Sequence, residues 1–185
     1  MRIMLLIVSV LLLFLSAAPA QTPAIGVGFS GGMDIPIIQE DQSSGSIFEL
    51  RARVRSLPWL MVEPKLSFIR HGAPEFDNFG FDIDGSSITA YGADVILGGG
   101  MGLTGLRPFF VGGIGFYSVS NDDTEVAFES GTDFGWSAGL GFDFGFSPSL
   151  SLDLRGKLHV ISTEGDASKK SAAITGGLNY YFGGE

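Results

Sequence analysis

From Asp133 the chain reads Asp-Phe-Gly-Trp-Ser-Ala-Gly-Leu-Gly-Phe-Asp-Phe, and this alternation constrains the fold more than any other feature. Phe134, Trp136, Ala138, Leu140, Phe142 and Phe144 fall on one side, and Asp133, Gly135, Ser137, Gly139, Gly141 and Asp143 on the other. Side chains of an extended strand alternate with a period of two, whereas a helix would mix the two classes on every face. The segment therefore reads as one long strand with an apolar wall and a small or charged wall.

The pattern recurs. After Ser147-Pro148-Ser149, Leu150, Leu152, Leu154, Leu158 and Val160 alternate with Ser151, Asp153, Arg155, Lys157 and His159. Phe48, Leu50, Ala52 and Val54 alternate with Glu49, Arg51, Arg53 and Arg55, and Leu60, Val62, Leu66 and Phe68 with Met61, Glu63, Lys65 and Ser67. Weaker copies place Asp94 opposite Tyr91, Val95 and Leu97, and Asn179 and Tyr181 opposite Leu178, Tyr180 and Phe182. Pro108 to Val119 is apolar on both faces, so its inward side stays open. Eight strands result, at about 24–33, 47–57, 60–71, 87–97, 107–119, 132–145, 149–162 and 171–182. Ordinary strands run about 5 to 6 residues, while a tilted strand crossing a bilayer needs about 9 to 11, so strand length points to a membrane barrel. In hydrocarbon every unpaired backbone group costs several kcal/mol, so the sheet must close on itself. The expected fold is all-β: an eight-stranded antiparallel transmembrane β-barrel in up-and-down order.

The links between strands alternate in character, as short periplasmic turns and longer external loops do in bacterial barrels. Pro58-Trp59, Gly98 to Leu106 and Phe146 to Pro148 are turns, whereas Asp34 to Ser46, Gly72 to Ser86, Ser120 to Gly131 and Thr163 to Lys170 are longer on average and acidic. The termini are expected on the periplasmic side. Ahead of the strands, Arg2 precedes the apolar run Ile3 to Leu15 and the small-residue stretch Ser16 to Ala20. These are the three parts of a secretory signal peptide, and the apolar core is too short to span a bilayer as a helix. Residues 1–20 are read as a cleaved signal peptide and 21–185 as the barrel domain. The formal charge of -9, from 11 Lys+Arg against 20 Asp+Glu, argues against a nucleic-acid partner, and the absence of cysteine excludes a disulfide scaffold or thiolate metal site.

The charged wall supplies twelve candidate lumen residues: Glu49, Arg51, Arg53, Arg55, Glu63, Lys65, Asp94, Asp143, Asp153, Arg155, Lys157 and His159. An eight-stranded barrel is only just wide enough to be filled by side chains, so these are read as a lumen-filling ionic network in preference to an ion path. Gly135, Gly139 and Gly141 on the same wall are expected to make room for long inward chains of the neighbouring strand. Trp59, Tyr91, Tyr117, Trp136, Tyr180 and Phe182 are read as aromatic girdles at the membrane interfaces. Pro64 removes a ladder hydrogen bond, and a local bulge is expected there.

Arg107-Pro108-Phe109-Phe110-Val111-Gly112-Gly113-Ile114-Gly115-Phe116-Tyr117 resembles the Arg-Pro-Tyr-Val-Gly-Ala-Gly-x-Gly-Tyr strand of the small outer-membrane β-barrel superfamily of opacity and outer-membrane-protein-A-like proteins. Phe134 to Phe144 with Leu150 to Arg155 is similar to that family's Gly-x-x-Ala-Gly-x-Gly hairpin, and Gly177 to Phe182 resembles its closing strand. The resemblance implies a barrel in the outer membrane of a Gram-negative bacterium, contacting lipid and lipopolysaccharide and inserted by the barrel-assembly machinery. The family's final aromatic usually ends the chain, whereas Gly183-Gly184-Glu185 follow Phe182 here, and no peptidoglycan-binding domain is expected.

The expected role is structural or surface-interacting, with a small passive channel as the alternative and two lesser readings beside it. A lipid-A-modifying enzyme would want His and Ser on the lipid face, but His159 shares the ionic wall and Ser162 has the opposite parity, while His71 sits at a loop edge. A secreted lipocalin-like barrel would hold its apolar wall inside, against the glycine and charge content seen here. Asp82-Ile83-Asp84-Gly85 and Asn121 to Glu125 lack the remaining spacing of a calcium loop and read as solvated acidic loops. No cofactor and no metal site are expected.

Overall fold

A computed structural model of the chain describes residues 25–37, 44–71, 86–121, 132–162 and 168–182. The signal-peptide reading of residues 1–20, and most of the four acidic links with Asp82, Asp84 and Asp122 to Glu125, lie outside the described residues. The strands are β1 (Ile25–Pro36), β2 (Gly45–Leu57), β3 (Leu60–His71), β4 (Ser86–Gly98), β5 (Gly105–Asn121), β6 (Thr132–Ser147), β7 (Leu150–Ser162) and β8 (Ser168–Phe182). Each pairs antiparallel with its sequence neighbours, and β8 returns to β1 through pairs running from Ile25–Phe182 to Pro36–Ser171, which closes the barrel. The eight-stranded up-and-down barrel read from the alternation is the observed fold.

Strand length follows from the medium. The shortest strands have 12 residues and β5 has 17; at a tilt of about 45°, 12 residues rise about 28 Å, enough for the apolar band of an outer membrane. β5 outruns the sequence estimate at both ends because its ladder continues through polar and glycine pairs such as Ser87–Ser120 and Gly105–Gly145, which hydrophobic alternation does not mark. One end of the barrel, the turn end, carries Pro58-Trp59, residues 99–104 and Pro148-Ser149, with the start of β1 and the finish of β8. The other, the loop end, carries the four longer links.

The wall facing away from the barrel axis is apolar. Leu140, Leu154, Phe110 and Ile114 are each more than half exposed, an arrangement that water would penalise and lipid tails accept. Aromatic rings gather at two levels. Near the turn end Phe144 packs on Phe146 at 4.9 Å and Tyr180 on Phe182 at 5.3 Å between ring centres, with Trp59 exposed nearby in the β2–β3 turn. Toward the loop end Phe116 lies 5.6 Å from Tyr91 and 5.9 Å from Phe134, and Trp136 follows on the outer face of β6.

One local expectation changes. Pro64 produces no bulge: the β2–β3 pairing lapses between Arg51–Lys65 and Val54–Val62 but resumes in the same register, and Pro64 still pairs with Ala93 of β4. The bulge lies instead between Arg55 and Leu57, where the strand enters its two-residue turn. In the β4–β5 turn, Gly98, Gly99, Gly102 and Gly105 have φ between 71° and 96°, the left-handed region that glycine adopts without a Cβ penalty. That path carries Met101 into the barrel, where it is 1% exposed.

Candidate functional site

The inward-facing side chains form three layers. At the turn end Met101 joins Met61, Ile96, Phe109, Val111 and Tyr181 in one apolar cluster. At the loop end Ile47, Ile69, Ile88, Ala90, Tyr117, Ile161 and Ala173 form a second. Between them lies the charged layer, built by parity: β2 sends in Glu49, Arg51 and Arg53, β3 Glu63 and Lys65, β4 Asp94, β6 Asp143, and β7 Asp153, Arg155 and Lys157.

Five cations and five carboxylates of this layer form two linked groups. In the first, Glu63 accepts from Arg53 Nε at 2.6 Å and from Arg155 Nη1 at 2.6 Å. Asp153 accepts from Arg51 Nη2 at 2.7 Å, from Arg155 Nη2 at 2.5 Å and from Arg53 Nη2. Asp143 lies 3.6 Å from Arg53 Nη1 and accepts from Ser151 Oγ at 2.8 Å. In the second, Lys157 Nζ donates to Glu49 at 2.8 Å and reaches Asp94 at 3.4 Å, and Lys65 Nζ lies 2.7 Å from the other Asp94 oxygen. Arg51, 3.8 Å from both Glu49 and Glu63, joins the groups.

Strands without a charge in this layer supply neutral partners. Ser30 of β1 donates to Glu49 at 3.1 Å, Asn179 of β8 accepts from Arg51 Nε at 3.2 Å, and Tyr181 of β8 accepts from Arg53 Nη1 at 2.7 Å. A buried charge costs several kcal/mol unless it is paired and its remaining donors and acceptors are filled. Here the ten side chains are at most 5% exposed and most are held by two or more partners. Inward glycines leave the space: a Cβ on Gly28 or Gly177 would run into Arg51, one on Gly113 into Asp94, and one on Gly139 into Lys157.

Eleven of the twelve charged candidates point inward and are buried, but they do not form one set. His159 stands apart from the ion pairs, its Nδ1 3.0 Å from the Tyr117 hydroxyl. Arg55 falls outside the network: it is half-buried at the β2 bulge, makes no ion pair among the described residues, and its Nε lacks a partner. The bulge at Arg55 turns the strand before its side chain can reach the carboxylates.

Tyr117 is the second correction. The girdle reading placed it outside, but it is 3% exposed and packs in the loop-end cluster. The inward side of β5 is Phe109, Val111, Gly115 and Tyr117, with Phe110, Ile114 and Phe116 toward lipid. Sequence parity missed this because both faces of β5 are apolar. Glycine complementarity was the available signal: a Cβ on Gly135 or Gly141 of β6 would strike the rings of Tyr117 and Phe109 respectively. Trp59, Tyr91, Trp136, Tyr180 and Phe182 are exposed on the outer wall.

With this geometry in place, comparison with known proteins agrees on the class. Residues 6–182 match the outer membrane protein β-barrel domain family, and the chain belongs to it. No curated protein is detectably similar in sequence. Among solved structures, Neisserial surface protein A is similar with a TM-score of 0.70 at 14% identity, over 88% of this chain and 100% of that one. The N-terminal β-barrel domain of Pseudomonas aeruginosa OprF gives 0.55 at 15% identity, over 86% and 100%. Ail, the attachment invasion locus protein of Yersinia pestis, gives 0.52 at 16% identity, over 85% and 96%. At such identities the likeness is one of fold. The protein is an outer-membrane β-barrel of a Gram-negative bacterium.

Proposed function

We propose that this barrel serves a structural or surface-interaction role with a lumen that does not conduct. The observation that carries the reading is the charge balance of the middle layer: five buried cations face five buried carboxylates, between two apolar layers. A permeating ion would have to break several charge-assisted hydrogen bonds and then cross an apolar layer at each end. A non-enzymatic role fits the same geometry, since His159 faces the lumen while Ser162 is exposed on the opposite parity. Contact with lipopolysaccharide, cleavage after Ala20 and insertion by the barrel-assembly machinery complete the proposal. The acidic links at the loop end would face the medium, where a partner could reach them; the attachment role in the name of Ail belongs to that protein.

Planar-bilayer recording of the refolded chain tests the sealed lumen. The expected trace is silent for the native sequence and for Arg155→Ala, with the variant less stable to urea. Steady conductance that Arg155→Ala alters at unchanged stability would establish the channel reading instead.

A further inference from the structure

A cavity of about 30 Å³ opens in the lumen at the loop end, above the ionic layer, with His159, Tyr117, Lys169, Ser171 and Asp34 among its lining residues. Its volume exceeds the roughly 10–15 Å³ that one water needs. Ile69, Ile88 and Ile161 supply apolar wall, and low-dielectric surroundings strengthen any polar contact made inside.

Apart from the Asp34 carboxylate, the polar side chains around it can donate. Tyr117 occupies His159 Nδ1, so when its hydroxyl donates, the opposite nitrogen Nε2 carries the proton. His159 is 3% exposed and its Nε2 has no partner among the described residues; a buried donor without an acceptor is costly. Ser171 lies directly opposite His159 in the β7–β8 ladder, and Lys169 lies two residues nearer the mouth with the same parity. Asp34, the carboxylate of the lining, has interactions of its own. The Lys170 carbonyl is taken by the Ile37 N–H at 2.9 Å.

We propose that this mouth binds one tetrahedral oxyanion, a phosphate or sulfate group, through the His159 imidazole, the Ser171 hydroxyl and the Lys169 ammonium. Several donors converging from two strands suit an acceptor with oxygens in all directions, and charge assistance from Lys169 makes an anion the favoured occupant. The group would arrive on a small phosphorylated or sulfated solute or on an envelope glycolipid. The site does not depend on a sealed lumen, because a conducting barrel would present the same donors.

The test follows the imidazole resonances of the refolded full-length chain by NMR during titration with inorganic phosphate and with inorganic sulfate, chloride serving at equal ionic strength as control. Saturable movement of the His159 signals by an oxyanion and none by chloride is expected. Lys169→Ala should weaken the affinity at least fivefold, while Arg70→Ala, an exposed cation on the outer wall at the same end, should leave it within twofold. Lys169 sits at a strand end, so its removal leaves the barrel intact where His159→Gln would disturb packing. Glucose 6-phosphate and glucose 6-sulfate against nanodiscs containing lipid A then distinguish a solute from a glycolipid source. No saturable shift with either oxyanion, or equal weakening by Lys169→Ala and Arg70→Ala, overturns the site.

Discussion

Asp143 and Asp153 are directly opposed in the β6–β7 ladder, both buried, and Arg53 reaches them from β2. Two carboxylates so placed repel unless a cation joins them. Arg155 neutralises Asp153 from its own strand, but Arg53 is the residue that touches both and also holds Glu63. Reaching them from β2 ties distant parts of the closed sheet together, so the network acts as a cross-brace of the barrel.

Arg53→Ala is therefore expected to cost about 3 to 5 kcal/mol, the cost of leaving buried carboxylates without their partner. Arg55→Ala, two residues along but outside the ion pairs, should cost less than about 1 kcal/mol. Urea unfolding from lipid vesicles compares the two. Equal losses would mean that the ionic layer is not held in the arrangement described.

The outer wall gives a separate expectation. Leu140 is 57% and Leu154 53% exposed on adjacent strands at mid-height. Leu140→Arg and Leu154→Arg should each cost about 2 to 4 kcal/mol in bilayers, the penalty for a cation at the membrane midplane. Refolding titrations in which Leu140→Arg and Leu140→Ala behave alike would remove this wall from the lipid.

How far the sequence alone could be read depended on the contrast between the two faces of each strand. In β7, Asp153, Arg155, Lys157 and His159 against Leu152, Leu154 and Leu158 left one assignment, and all four polar side chains are buried. In β5, Phe109 and Val111 against Phe110 and Ile114 offer no contrast, and Tyr117 was misplaced for that reason. Alternation also identifies a wall without its height, so the apolar clusters toward the two ends, with Ile47 and Ile161 at one and Met101 at the other, did not show. The partners of Arg53 were beyond reach because contacts across a lumen depend on strand stagger and closure, which no single strand encodes. The turn path that delivers Met101 rests on left-handed glycines whose count was visible but whose geometry was not.

Orientation is expected to place the turn end in the periplasm. Cysteines introduced at Asp77 and Asp123, within the links after β3 and after β5, should react with a membrane-impermeant maleimide on intact cells, and Pro148→Cys, in the β6–β7 turn, only after lysis. Labelling of Pro148→Cys on intact cells with silence at the other two would invert the barrel.

The glycines supply a paired prediction that separates lumen from lipid within one ladder. Gly139 of β6 pairs with Lys157 of β7, and a Cβ there would collide with the Gly156 carbonyl and the Lys157 backbone. Gly156 of β7 pairs with Leu140 on the opposite face, and a Cβ there meets nothing within 4 Å. The same added methyl should therefore act in opposite directions. Gly139→Ala forces backbone apart beside a buried ammonium and should cost about 1 to 3 kcal/mol, as overpacking does. Gly156→Ala fills open space facing lipid and restricts the unfolded chain, so a gain of about 0.4 to 1 kcal/mol is expected. Urea midpoints measured side by side in the same vesicles decide the matter, and a larger loss from Gly156→Ala than from Gly139→Ala would mean that the two walls of β6 and β7 are exchanged.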